Sequence, residues 1–327
     1  MYIEDLKFSL WADFIEREYL DNEFKDLIEK KIINGATSNP AIFKNAILSS
    51  DAYISQLESL SASLSSKQKY EAVAIYDIQK AADILKPLYD KGDDGYVSIE
   101  VDPFLCDDAE ATIEEGKRLY KAIGRENVMI KVPATDAGYI AMEALVAEDI
   151  AVNATLIFKK EQALFCLDAF DKGMQKAGRA VDTVISIFVS RVDRALDKLL
   201  AEHNVQTALT GIYNSAMIYD AIMEANLPSC RALFASTGVK DDSLPPYYYV
   251  EKLLAYNSVN TAPIETILAF DADGKKERAL PIDKEIIIEH FAKLQDIGID
   301  LNSVLDKLID DGLEAFKEAF DEILEAL

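Results

Sequence analysis

The sequence predicts one α/β domain over residues 1–327: a single (β/α)8, TIM-type barrel with additional N-terminal and C-terminal helices. Three observations predict it. Eight short β-rich runs are spread along the whole length. Segments with apolar residues at three- and four-residue spacing lie between them. No Gly/Ser-rich or Pro-rich linker divides the chain, and alternating strands and helices imply parallel strands joined by crossovers.

The first strand is residues 7–13 (KFSLWAD), ending in Asp13. The second is 35–39 (GATSN), where Ser38 and Asn39 precede Pro40 and mark a helix start, because proline suits the first helical turn. From about 50 to 91 the pattern is helical and too long for one crossover, so it predicts more than one helix. The stretch GDDG at 92–95 reads as a loop. The third strand is 96–102 (YVSIEVD), followed by Asp107 and Asp108 at the start of a helix that includes ATIEEGKRLYKAI. The fourth is 127–133 (NVMIKVP), the fifth 151–158 (AVNATLIF) and the sixth 183–189 (TVISIFV), with the helix VDRALDKLLAEH from Val192 behind it. The seventh is 231–236 (RALFAS) and the eighth 255–260 (AYNSVN). Between these two, KDDSLPPYYY from Lys240 reads as a loop packed on the surface, or else as a lid or an interface. Residues 283–327 are helical and acidic and are expected to pack on the outside.

With 327 residues, half of them hydrophobic, the chain can bury a large core. Mean hydropathy is near zero. The net charge is −24, which repels nucleic acid and anionic lipid surfaces. No apolar run reaches the ~18 residues of a membrane helix. Residues 1–18 carry neither the basic nor the apolar region of a secretory signal. Cys106, Cys166 and Cys230 are odd in number and far apart, which fits a reducing cytoplasm. His203 and His290 are the only histidines. Both lie in polar helical contexts and read as surface residues, so a zinc site or a Ser-His-Asp triad is not expected.

Strand residues alternate faces. Ser98, Glu100 and Asp102 therefore share one face, opposite Val97, Ile99 and Val101. Lys131 lies opposite Val128, Ile130 and Val132, while Asn153 and Thr155 point together. Asp13, Asn39, Ser186 and Ser236 lie at or near strand ends. A lone strand-end lysine ordinarily snorkels to the surface, and a lone asparagine before proline ordinarily caps a turn. The same pattern on five or six strands of one barrel instead places polar groups inside, near the carboxyl ends, where barrel enzymes carry their chemistry. Burial opposes the charged form of an inward lysine, and a free amine attacks a carbonyl to form a Schiff base. Glu100 can pair with Lys131 or move protons through a water, and Asp13 is placed as a second acid/base.

With these residues in view the chain resembles the transaldolases. The motifs run in order: SLWAD with Asp13, TSNPAIF with Asn39, SIEVDP with Glu100, MIKVPAT with Lys131, VNATLIF with Asn153 and Thr155, and ISIFVSRVD with Ser186 and Arg191. They cover about residues 10 to 195, and the likeness resumes at ASTG and VNTAP. The resemblance implies an enzyme that transfers a dihydroxyacetone unit from a ketose phosphate (sedoheptulose 7-phosphate or fructose 6-phosphate) to an aldose phosphate (glyceraldehyde 3-phosphate or erythrose 4-phosphate). The family works in the pentose phosphate pathway without metal or organic cofactor.

In the implied roles Lys131 forms the imine and Asp13 takes the proton of the hydroxyl whose carbon–carbon bond breaks. Glu100 and Thr155 hold a proton-shuttling water, and Asn39 and Asn153 bind substrate hydroxyls. Ser186 belongs to the substrate-binding set, and Arg191, Ser236 and Lys240 hold the phosphate. Two departures stand out. Ile187 and Ser190 occupy places where many members carry proline and glycine. ASTGVK, with Lys240, stands where many read ASFRN. The long helical insert and the C-terminal extension suggest the longer bacterial branch, and a cytoplasmic monomer or homodimer is expected. Two other readings are an aldolase of the same mechanism that releases its product without transfer, and a lyase holding Mg²⁺ on Glu100, Asp102, Asp107 and Asp108.

Overall fold

The computed structural model describes residues 1–240 and 243–327. The barrel strands are β2 (Phe8–Ala12), β3 (Ala36–Thr37), β4 (Val97–Glu100), β5 (Val128–Pro133), β6 (Val152–Ile157), β7 (Thr183–Phe188), β8 (Cys230–Ala235) and β9 (Ser258–Ala262). Each pairs in parallel with the next, and β9 pairs with β2, so the described residues close an eight-stranded parallel barrel. A short β1 (Tyr2–Ile3) adds an antiparallel edge to β2. Two residues are too few to show an alternation, which is why the sequence does not announce β1. The eighth run lies a few residues later than expected: the strand is Ser258–Ala262 rather than 255–260, because the chain turns first, with Asn257 at a left-handed φ of 52°.

The faces follow the pleat. Trp11, Met129, Val184, Leu233 and Val259 fill the lower interior, while the apolar residues of the other parity meet the helices. Below them Arg231 donates to both oxygens of Asp94, at 3.0 and 2.9 Å, and Trp11 Nε1 donates to the same carboxylate at 2.8 Å. This pairing closes the barrel floor. Gly35 lies flat against the Trp11 indole, and a Cβ there would sit 2.4 Å from its nitrogen. The sequence places glycine where the ring leaves no room.

The helical insert between β3 and β4 divides as expected, into Pro40–Ser49, Ile54–Ser59 and Ser66–Tyr89. The long helix starts on a capping box between Ser65 and Gln68. Ahead of β2 the N-terminal addition is β1 and a 3-10 turn, Glu4–Leu6.

Three expectations need correction. The C-terminal helix, Leu301–Ala326, does not simply pack on the outside. Its buried face, Leu305, Gly312, Phe316, Ala319, Phe320 and Ile323, crosses the carboxyl end of the barrel and touches β6, the Pro40–Ser49 helix and the Ser190–Glu202 helix. That face pairs Gly312 with aromatic rings, so it reads in the sequence like any amphipathic helix. His290 is buried rather than on the surface, bonded through Nε2 to the Thr210 hydroxyl at 2.8 Å and packed on Tyr213. In the loop from Lys240, Asp241 and Asp242 lie outside the described residues. Beyond them Tyr248–Lys252 is a helix, anchored by Tyr249 to Asp193 and by Tyr248 to the Ala208 carbonyl. The packed reading of this segment holds for its described residues, but it carries a short helix where a loop is expected.

Candidate active site

Lys131 lies on β5, aligned with Glu100 of β4 and with Asn153 of β6. Its side chain is buried, with Nζ 3.4 Å from Glu100 Oε2 and donating to the Ser38 carbonyl at 3.2 Å. The short β3 and the turn after it bring Ser38 there, and its hydroxyl donates to the Ser98 carbonyl. Among the described residues the buried amine meets the Glu100 carboxylate, the Ser38 carbonyl and, at 5.7 Å, the Phe316 ring.

Glu100 is 6% exposed, and neither carboxylate oxygen has a hydrogen-bond partner among the described residues. Burial pushes its carboxyl up to about 7 against the opposing pull of Lys131. Near neutrality it therefore exists in both acid and base forms. The Thr155 hydroxyl is also buried and unpartnered. It lies two residues beyond Asn153 on β6, facing the same interior. Polar atoms left unpaired in a folded core are costly, and the Glu100 and Thr155 oxygens, both on the interior face beside Lys131, are free to take other partners.

Asp13 follows β2, where its backbone N–H donates to the Ala262 carbonyl. Its Oδ1 accepts from the Thr37 hydroxyl at 2.7 Å. Thr37 in turn is 2.6 Å from the Thr261 hydroxyl. Because Thr37 gives its single proton to Asp13, Thr261 donates to Thr37. Burial raises the Asp13 carboxyl above the ordinary range, opposed by the charge of Lys131, the Thr37 bond and Arg191. Sequence reasoning missed Thr37 and Thr261. The alternation of β3 would have shown Thr37, which shares a face with Asn39, and Thr261 was lost by ending the last strand at residue 260.

Asn153 is fully buried and held at both ends. It donates through Nδ2 to Ser98 at 3.1 Å and accepts the Ser186 hydroxyl at 2.6 Å. Ser186 thus spends its proton on orienting Asn153. Asn39 caps the Pro40–Ser49 helix, with Oδ1 accepting from the Ile42 N–H at 2.9 Å. The ordinary capping role and a place at the barrel mouth coincide in one residue.

Around the mouth, Arg191 opens the Ser190–Glu202 helix and stacks over Phe188 at 5.2 Å. Among the described residues it forms no ion pair. Nearby Asp193 is engaged by the Gly211 N–H and Tyr249, and Asp197 by the Ala208 N–H. Ser236 follows β8 in the left-handed region, φ 55°, with its hydroxyl 3.1 Å from that of Ser190. The serine at 190 therefore brings a second hydroxyl to this corner. Lys240 is exposed, whereas Arg191 and Ser236 are partly buried at this corner.

The carboxylates of the metal reading do not converge. Asp102 pairs with Lys67 at 2.7 Å and caps Phe104, and Asp108 caps the Ala109–Ile123 helix. Lys67 also bonds Glu115, whose other oxygen holds the Asp102 N–H. Asp102 thus belongs to a network behind β4, although its parity suggested the interior. Among the described residues no group of three or more His, Cys, Asp or Glu is placed to hold a metal ion.

Residues 10–327 match the family described as Transaldolase/Fructose-6-phosphate aldolase. A Transaldolase of Campylobacter jejuni subsp. doylei is 47% identical over 333 residues, covering 98% of this chain and 99% of its own. A Transaldolase of Helicobacter pylori is 44% identical over 320 residues, covering 97% and 98%.

Proposed function

The chain belongs to the transaldolase/fructose-6-phosphate aldolase family, and on that premise we propose that it transfers a dihydroxyacetone unit between sugar phosphates through an imine on Lys131. The observation that carries this reading is a buried amine 3.4 Å from a buried carboxylate that has no other partner among the described residues. The Lys131 amine attacks the ketone carbon of fructose 6-phosphate or sedoheptulose 7-phosphate. Glu100 gives and takes the protons that turn the carbinolamine into an imine, through a water held with Thr155. Asp13 removes the proton from the C4 hydroxyl, the C3–C4 bond breaks, and its electron pair enters the imine to give an enamine. The aldose phosphate departs. The enamine carbon then attacks the aldehyde of glyceraldehyde 3-phosphate or erythrose 4-phosphate, whose oxygen takes the proton from Asp13. Hydrolysis of the new imine frees the product.

Asn153, locked by Ser98 and Ser186, and Asn39 orient the substrate hydroxyls. Arg191 holds the phosphate, since a guanidinium forms paired bonds to phosphate oxygens, and Ser236 adds a hydroxyl. Lys240 serves at most as a distant cation. No helix among the described residues is long and apolar enough to cross a membrane, and we place the enzyme in the cytoplasm, in the pentose phosphate pathway.

The test is a transfer assay with fructose 6-phosphate as donor. Turnover that requires erythrose 4-phosphate and yields sedoheptulose 7-phosphate is expected. Equal turnover without the acceptor, releasing dihydroxyacetone, would instead assign the non-transferring aldolase reaction.

A further inference from the structure

We propose that Phe316, on the C-terminal helix, decides between transfer and release by walling water away from the carbon unit carried on Lys131. This inference rests on the imine reading above. The Phe316 ring centroid lies 5.7 Å from Lys131 Nζ, and the residue is 4% exposed. The polar neighbours of the amine are the Glu100 carboxylate and the Ser38 carbonyl, and the Phe316 ring adds an apolar one.

The ring is fixed on both flanks. One turn earlier, Gly312 is pressed onto β6, and an added Cβ would approach Leu156 to 3.0 Å and Arg191 Nη1 to 3.4 Å. One turn later, Phe320 packs edge-on against Tyr70 at 5.2 Å. Leu156 meets the helix because β6 is irregular there. Its register shifts between Ala154 and Ile157, and Leu156 takes a left-handed φ of 60°. A leucine in that conformation is strained, and a bulge re-aims side chains next to a site. The bulge turns Leu156 up beneath Gly312, immediately after Thr155. Leu156, Phe158, Phe188 and Phe316 share one apolar cluster.

The chemistry gives this wall a task. After the first cleavage the enamine carbon holds an electron pair. In transfer that carbon bonds to the acceptor's aldehyde carbon. In release the carbon takes a proton from water, a water adds to the resulting iminium carbon, and the C–N bond breaks. One water is consumed, and dihydroxyacetone and the free Lys131 amine result. An apolar ring beside Lys131 keeps bulk water from the enamine carbon, while the single water held by Glu100 and Thr155 remains for the hydrolysis that frees the transferred product, and the side reaction is suppressed.

The experiment compares dihydroxyacetone release from fructose 6-phosphate with transfer to erythrose 4-phosphate. Each is divided by the borohydride-trapped imine, so that only folded sites are counted. Phe316→Ala is expected to raise the release-to-transfer ratio by about tenfold or more, whereas Phe316→Leu, which keeps the bulk, stays within about threefold of the unsubstituted chain. Should Phe316→Ala fail to fold, Phe316→Val takes its place with the same expectation. An unchanged ratio in the smaller variant overturns the inference, and so does an equal rise in Phe316→Leu. Absence of any trapped imine on Lys131 in the unsubstituted chain would overturn the imine reading itself, a result distinct from a trapped imine with an unchanged ratio.

Discussion

Glu100 joins burial to proton transfer. Its carboxyl is raised from an ordinary 4.5 to about 7 by desolvation, so between those values the folded chain holds more proton there than the unfolded chain. Stability then falls as pH rises through that window. Glu100→Gln removes the titration. Urea unfolding from pH 4.5 to 7.5 should show the unsubstituted chain losing on the order of 1–3 kcal/mol relative to Glu100→Gln; parallel curves would refute the assignment. Asp13 acts at a different step. Asp13→Ala should still form a borohydride-trappable imine while cleavage slows by roughly 10²–10⁴-fold. Equal loss of trapping and cleavage would contradict its separate role.

At the scale of elements, the Pro40–Ser49 helix and the mouth share Asn39. Asn39→Ala removes the cap at a cost of about 1 kcal/mol. Asn39→Asp keeps an acceptor for the Ile42 N–H but replaces the amide proposed to orient substrate hydroxyls. Denaturant midpoints should therefore fall for Asn39→Ala and hold for Asn39→Asp, while KM for the ketose phosphate rises in both. A midpoint that drops equally in both would detach the cap from the side-chain acceptor.

The strands were legible because period-two alternation survives even in runs as short as VSIE, and the polar exceptions Glu100, Lys131, Asn153 and Thr155 all fell on the interior parity. Asp102 broke the pattern because it lies past the strand end, where the chain turns and Lys67 captures it. Neither the left-handed Leu156 nor the descent of Gly312 and Phe316 onto the mouth was readable. Both depend on contacts between residues about 150 apart, and no local periodicity encodes them.

Over the whole molecule, a net charge of −24 surrounds a site that must accept anions. Long-range repulsion is screened by salt, whereas the proposed contact between Arg191 and the substrate phosphate acts at short range and is screened far less. Raising ionic strength from about 0.01 M to about 0.15 M should therefore raise kcat/KM for fructose 6-phosphate by about two- to threefold. A steep fall would show that exposed cations such as Lys240 dominate capture.

The barrel sets Lys131 within reach of Glu100, and the proposed imine is the covalent bond that tests this arrangement. Incubation with fructose 6-phosphate and borohydride, followed by peptide mass analysis, is predicted to place a stable reduced adduct on the peptide containing Lys131 and on no other lysine. An unmodified Lys131, or an adduct carried by a different residue, would contradict the account.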